Sequence, residues 1–265
     1  GIEINIIMSI RDYAKQKVRE VVCKFFRPNE IEIGALSNDD ITTVLKESFS
    51  IKNQEYINRI LEVSKGNIRL AILATQLVLE KGLYELADAT EIFSNYYGHI
   101  LRNADINELE IKSMFVVSLF GTVNIKKCDI IKPVLRKLDI EEHIFVDSCK
   151  KLSKIELIDL YQNEVIRISD QSLANYVCKS VLLEKKHISI ADLLEIGFVE
   201  FKGRIIFTLN TLMNLFYSKD VEGYIETEVN TAWNKTSGKE EWEYLLSFYS
   251  INPEKALKLI KDRIG

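Results

Sequence analysis

The chain has 265 residues, enough for one large domain or two to four small ones, and long enough to bury a core without staples. Apolar residues make up 47% and charged residues 28%, and the formal net charge of -4 argues against bulk nucleic-acid binding. Four scattered cysteines (Cys23, Cys128, Cys149, Cys178) and three scattered histidines (His99, His143, His187) give neither a disulfide framework nor a zinc motif; with no apolar run of membrane-spanning length, a cytoplasmic location is expected.

Residues 1–36 open on Ile4–Ile10, β-branched and apolar almost throughout, as in a strand covered on both faces. The strand pattern ends in Ser9-Ile10-Arg11-Asp12, a polar helical stretch DYAKQKVREVV follows, and after Pro28-Asn29 the segment EIEIGAL alternates like a short strand. A chain that starts inside a strand pattern and stops inside the amphipathic run NPEKALKLIKDRIG reads as a piece of a longer polypeptide, with Gly1 a remnant of its preparation.

From Ser37 to Gly98 the spacing is helical. Ser37 and Asp40 form a capping-box signature ahead of Ile41, Val44, Leu45 and Phe49, and the acid pair Asp39-Asp40 suits a helix N-terminus better than a catalytic dyad. Tyr56, Ile57, Ile60, Leu61 and Ser64 mark a second helix, which Gly66 ends. Asn67 caps a third, Ile68–Lys81, and a fourth is expected over Tyr84–Tyr97.

Residues 99–186 change rhythm. A helix over 107–120 ends at Phe120-Gly121, a second begins near Asp129 with Pro133 in its first turn, and a third covers Glu141–Leu152. IELIDLY and EVIRIS then alternate around Gln162-Asn163, a hairpin signal, and Asp170 caps the helix that follows. Helix–helix–helix–hairpin is the order of a winged-helix domain. From about His187 onward the pattern predicts helices over 189–196, 204–217, 219–234, 239–250 and 253–264. Their pairing through short polar connectors is that of opening α-solenoid units, with no clear repeat period. The run Glu184–His187 reads as a solvated hinge, and Phe25-Phe26 and Tyr96-Tyr97 read as core or domain-junction packing.

The chemistry concentrates in Gly66-Asn67-Ile68-Arg69. These residues suit a plain helix connector: Gly as a left-handed cap, Asn as the next N-cap, and Arg as a solvated first-turn residue. The same geometry also suits phosphate recognition, because helix N-termini attract anions and a first-turn arginine can close on a terminal phosphate. Arg11, at a strand end, carries the same two readings.

In order and spacing the chain resembles the back half of an AAA+/STAND-type P-loop ATPase. IIMSIRD, with Ser9 and Arg11, matches a sensor strand. EIEIGALSNDDITTVL matches the passage from a short strand into a helical lid, and Gly66-Asn67-Ile68-Arg69 matches the GNxR form of a lid motif. A winged helix and a superhelical array follow in that order. The resemblance implies a mostly α fold with minor β (α+β), divided into a P-loop-core remnant (1–36), a helical lid (37–98), a winged helix (99–186) and a helical-repeat-like region (187–265). It implies that Gly66, Asn67, Arg69 and Arg11 contact ATP or ADP, bound with magnesium in the intact protein. The expected partners are an upstream P-loop domain of the same polypeptide, proteins bound through the helical region, and further copies in a nucleotide-dependent oligomer.

The sequence also departs from that family. Ile68 stands where STAND proteins often carry proline, and no GxxxxGK[ST] or acidic strand end is present; the nearest string is Ser237-Gly238-Lys239-Glu240. The chain alone is therefore expected neither to hold nucleotide tightly nor to hydrolyse it. Two other readings remain open from sequence. One is a winged-helix nucleic-acid-binding regulator, opposed by Glu141 and Glu142 at the start of the reading helix and by Glu156, Asp159 and Glu164 around the hairpin. The other is a helical adaptor in which GNIR is only a turn. Asp170-Gln171-Ser172 has no histidine near in sequence, and nucleophilic catalysis is not supported.

Overall fold

The computed structural model describes Met8 and residues 19–31, 36–64, 66–81 and 89–264. Two compact units result, Gly1–Leu36 and Ser37–Gly265. In the first, residues 19–22 form a helical turn closed by Phe26 N donating to Val22 O at 2.9 Å, and Arg19 pairs with Glu30 at 3.2 Å. Phe25 and Phe26, expected as core or domain-junction packing, are 73% and 65% exposed and so do not fill a core. The Ile4–Ile10 strand, apart from Met8, and Arg11 lie outside the described residues.

The second unit is mostly helical with one small antiparallel sheet, the mostly α, minor β class expected from sequence. It begins with α1 (Asn38–Phe49), where Ser37 and Asp40 make the capping box: Asp40 N donates to Ser37 Oγ at 3.1 Å and Ser37 N to Asp40 Oδ2 at 2.9 Å. Hydrogen bonds from Ser37 hold the Asp40 carboxyl below the usual carboxylate range. α2 (Gln54–Ser64) and α3 (Ile68–Lys81) bury Ile57, Ile60, Leu70 and Ala74 against each other and against Ile41 and Leu45 of α1. α4 runs from Ala89 to Asn103, beyond the expected end at Tyr97, so that Gly98 and His99 are consecutive residues of one helix. Gly98 does not stop it because Ile92, Phe93, Tyr97 and Leu101 continue one buried stripe through that point.

α5 (Glu108–Phe120) is the central element. Met114, Phe115, Val116, Val117 and Leu119 are all buried, which makes this helix apolar on every side over its second half. Asn107 and Glu110 close a second capping box at its start. β1 (Val123–Asn124) follows, then a 3-10 turn at Asp129–Ile131, α6 (Lys132–Lys137) and α7 (Glu142–Lys154). β2 (Ile158–Tyr161) and β3 (Val165–Ile168) form the expected hairpin, with Gln162 and Asn163 both at positive φ (51° and 54°) as a tight turn between twisted strands requires. The sheet order is β1-β3-β2, with β1 too short to leave an alternation in the sequence.

α8 (Gln171–Lys179) continues into a π-helical turn, Ser180–Glu184. Lys179 is 4% exposed; its Nζ donates to Glu184 at 2.5 Å and reaches Ser94 of α4 at 3.5 Å, tying α8 to α4. The two helices expected over 189–196 and 204–217 meet end to end in α9 (Ile190–Leu215), separated only by a kink at Phe201, which leaves helical geometry (φ -139°, ψ 32°). The kink has a side-chain cause. The Phe201 ring folds onto Gly197, where an added Cβ would lie 2.0 Å from its Cζ, and packs on Phe120 of α5 at 4.8 Å. α10 (Lys219–Trp233), α11 (Gly238–Phe248) and α12 (Pro253–Ile264) complete the chain, joined by Lys255 Nζ donating to Trp233 O at 3.0 Å.

Candidate functional site

The turn between α2 and α3 is built by its sequence. Gly66 sits at φ 81°, a conformation costly for other residues, and lets Asn67 N fold back onto Ser64 O at 2.8 Å. Asn67 Oδ1 then accepts from Arg69 N at 3.0 Å and Leu70 N at 3.1 Å, and its carbonyl accepts from Ala71 N at 2.9 Å. Asn67 thus satisfies first-turn amides that an approaching anion would otherwise use. What remains available at this helix start is the Arg69 side chain, 58% exposed.

Arg69 is engaged across the fold. Its Nη2 pairs with Asp170 Oδ2, a residue 101 positions away at the start of α8. The same Oδ2 accepts from Tyr97 OH at 2.7 Å, and Asp170 Oδ1 accepts from Ser172 N at 2.8 Å in the N-cap the sequence predicted. Tyr97 is 2% exposed, stacked between Phe93 (ring centroids 5.8 Å apart) and Tyr176 (5.9 Å). Burial first, and the Asp170 hydrogen bond second, push its phenol above the ordinary tyrosine range. The cluster therefore joins the start of α3, the middle of α4 and the junction of β3 with α8. Gly66, Asn67 and Arg69 come together as expected; Arg11 lies outside the described residues. Asp170 and Tyr97 entered the sequence reading only as a cap and as packing.

The face formed by α7 and the hairpin is different. Lys150 pairs with Asp147 at 3.3 Å, Lys151 with Glu110, Lys126 with Glu164, and Arg167 with Asp159 at 2.9 Å. Lys132 lies 2.9 Å from Asp129 and 3.3 Å from Glu142. An open cleft of about 520 Å³ at the α6–α7 turn is lined by Lys132, Arg136, Asp139, Glu141, Glu142 and His143, a balanced set of charges. The lysines and the arginine named in these pairs are met by nearby carboxylates, which leaves less uncompensated positive charge for a phosphate backbone.

Among the described residues no cluster of three or more His, Cys, Asp or Glu side chains could hold a metal ion, and no helix is long and apolar enough to cross a membrane. Cys128, Cys149 and Cys178 are buried thiols, and desolvation raises the pKa of each, Cys178 to about 12. No protein-family model, curated protein or solved structure matches the chain.

Proposed function

We propose that the chain is the C-terminal portion of a STAND-like, ATP-dependent signalling switch, serving nucleotide sensing and protein interaction rather than catalysis. The observation that carries this reading is the Arg69–Asp170 pair. An arginine in the position of a phosphate sensor is held by a carboxylate from another part of the fold, and a phosphate would compete for the same guanidinium. The element order supports the rest of the reading. α1–α4 correspond to a helical lid; α5, β1, α6, α7 and the β2–β3 hairpin, in sheet order β1-β3-β2, to a winged helix; and α9–α12 to the first hairpins of a helical array.

The residues present fit nucleotide in part. Arg69 supplies one exposed cation, while the first-turn amides of α3 are taken by Asn67 and no glycine-rich loop or magnesium carboxylate accompanies them. ATP or ADP with magnesium would be held by a P-loop domain of the same polypeptide, with Arg69, and Arg11 by resemblance alone, facing the terminal phosphate. Release of Arg69 from Asp170 would free the start of α3 to shift against α8 while α4 stays joined to α8 through Tyr97, and the helical region would then meet protein partners or further copies in the cytoplasm. Paired charge on α7 and the hairpin supports this role over nucleic-acid reading.

In a polypeptide carrying the P-loop domain, Arg69→Ala should abolish the nucleotide-dependent change while leaving the thermal transition within a few degrees of wild type. An unaltered nucleotide response would reduce GNIR to a helix connector. A salt-sensitive complex with duplex DNA at micromolar protein would favour the nucleic-acid reading instead.

A further inference from the structure

Asp170 is bonded more completely than its pairing with Arg69 requires. Besides the guanidinium, it accepts from Ser172 N at 2.8 Å on one oxygen and from Tyr97 OH at 2.7 Å on the other. Both of these donors are fixed. Ser172 N belongs to the first turn of α8, and the Tyr97 ring is clamped by Phe93, Tyr96 and Tyr176, with 2% of its surface exposed. Arg69 is the mobile member, its side chain 58% exposed against 16% for Asp170.

That asymmetry has an energetic consequence. An exposed guanidinium that leaves the site returns to water, and exposed ion pairs contribute little net stability. A mostly buried carboxylate left with an unpaired oxygen would be costly, and it would drag the start of α8 with it. The Tyr97 hydroxyl removes that cost, because Oδ2 keeps a donor after Arg69 has gone.

We propose that Tyr97 is the positioning residue of a releasable latch: its hydroxyl keeps the Asp170 carboxylate seated at the start of α8 whether or not Arg69 is paired to it. The latch therefore opens by movement of one exposed side chain, with the cap of α8 unchanged. The identity of the anion that Arg69 turns to rests on the phosphate-sensor reading; the seat for Asp170 does not.

Hydrogen exchange at the Ser172 amide, measured by NMR on the whole chain, reports on that seat. In R69A protection should stay within about twofold of wild type, and likewise in Y97F, where Arg69 still serves Oδ2. In the double variant R69A/Y97F it should fall by about tenfold or more, since Oδ2 then has lost both side-chain donors. Far-UV circular dichroism checks that each variant is folded. A hydroxyl that serves packing alone gives Y97F the same effect in both backgrounds, and that outcome overturns the proposal, as does loss of protection in R69A by itself. A second arm needs no Arg69 variant. In about 1 M NaCl, which screens exposed pairs, wild type should keep Ser172 protected while Y97F loses it. Equal behaviour of the two proteins again overturns the proposal. Neither arm uses nucleotide, so an unaltered nucleotide response in the longer R69A polypeptide would sink the sensor reading and leave the latch standing.

Discussion

Two parts of this molecule put basic side chains where a phosphate could be read, and they treat them in opposite ways. On α7 and the hairpin, the carboxylates that neutralise Lys150 and Arg167 come from the same helix or the adjacent strand, three and eight positions away. At the start of α3, Arg69 is met by a carboxylate 101 positions away, at the start of α8. Local pairs travel with the cations they neutralise and leave no net field. A long-range pair with one exposed member reports on the relative position of two elements. Lys151 of α7, 55% exposed and paired with the buried Glu110 of α5, is long-range too; what sets Arg69 apart is that the oxygen it pairs with keeps a second side-chain donor, Tyr97.

The comparison can be broken by mutation, and Asp170→Ala should have the largest effect. It removes the cap on Ser172 N, takes away the carboxylate that accepts from the 2%-exposed Tyr97 hydroxyl and frees Arg69. A loss of about 2–3 kcal/mol in urea unfolding is expected, from a lost cap plus a lost buried hydrogen bond to a charged acceptor.

Tyr97→Phe comes next, at about 1 kcal/mol near neutral pH for one hydrogen bond. Its pH dependence sharpens the test. The folded phenol is raised above its unfolded value, so its contribution is fully present below about pH 10 and declines as pH rises through that value and the unfolded chain ionises. Thermal melts of wild type and Y97F should therefore converge above pH 10. A constant difference would mean that the phenol is not raised in the folded chain, against both its burial and its bond to Asp170.

Arg69→Gln should cost less than about 1 kcal/mol, because its side chain is 58% exposed and Asp170 keeps two other donors. Lys150→Gln, breaking an exposed pair within one helix, should stay within about 0.5 kcal/mol and leave nucleotide responses of the longer polypeptide untouched. If Lys150→Gln proved the more damaging of the two, the contrast between local and long-range pairing would collapse.

Features with a local cause were legible in the sequence. Gly66, Asn67 and the start of α3 follow from capping chemistry, as do the Ser37–Asp40 box, the turn at Gln162-Asn163 and the cap at Asp170. Features set by distant packing were not. The kink at Phe201 depends on Gly197 and on Phe120 of α5, and an apolar run around Phe201 looks the same whether the helix bends or breaks. α4 passes through Gly98 because its buried stripe continues to Leu101, overriding the local weakness of glycine. The candidate site was half legible for the same reason. Arg69 stood out at a helix start, whereas nothing in the spacing of Tyr97 or Asp170 pointed to it; only the folded chain pairs them.

The most direct measurement is the distance between spin labels at Gln76 on α3 and Lys154 on α7, in a polypeptide that carries the P-loop domain. Adding ATP should shift that distance in wild type and leave it fixed in R69A. The same distance with and without nucleotide in wild type, or the same shift in R69A, would contradict the account of Arg69 as the contact through which nucleotide moves the fold.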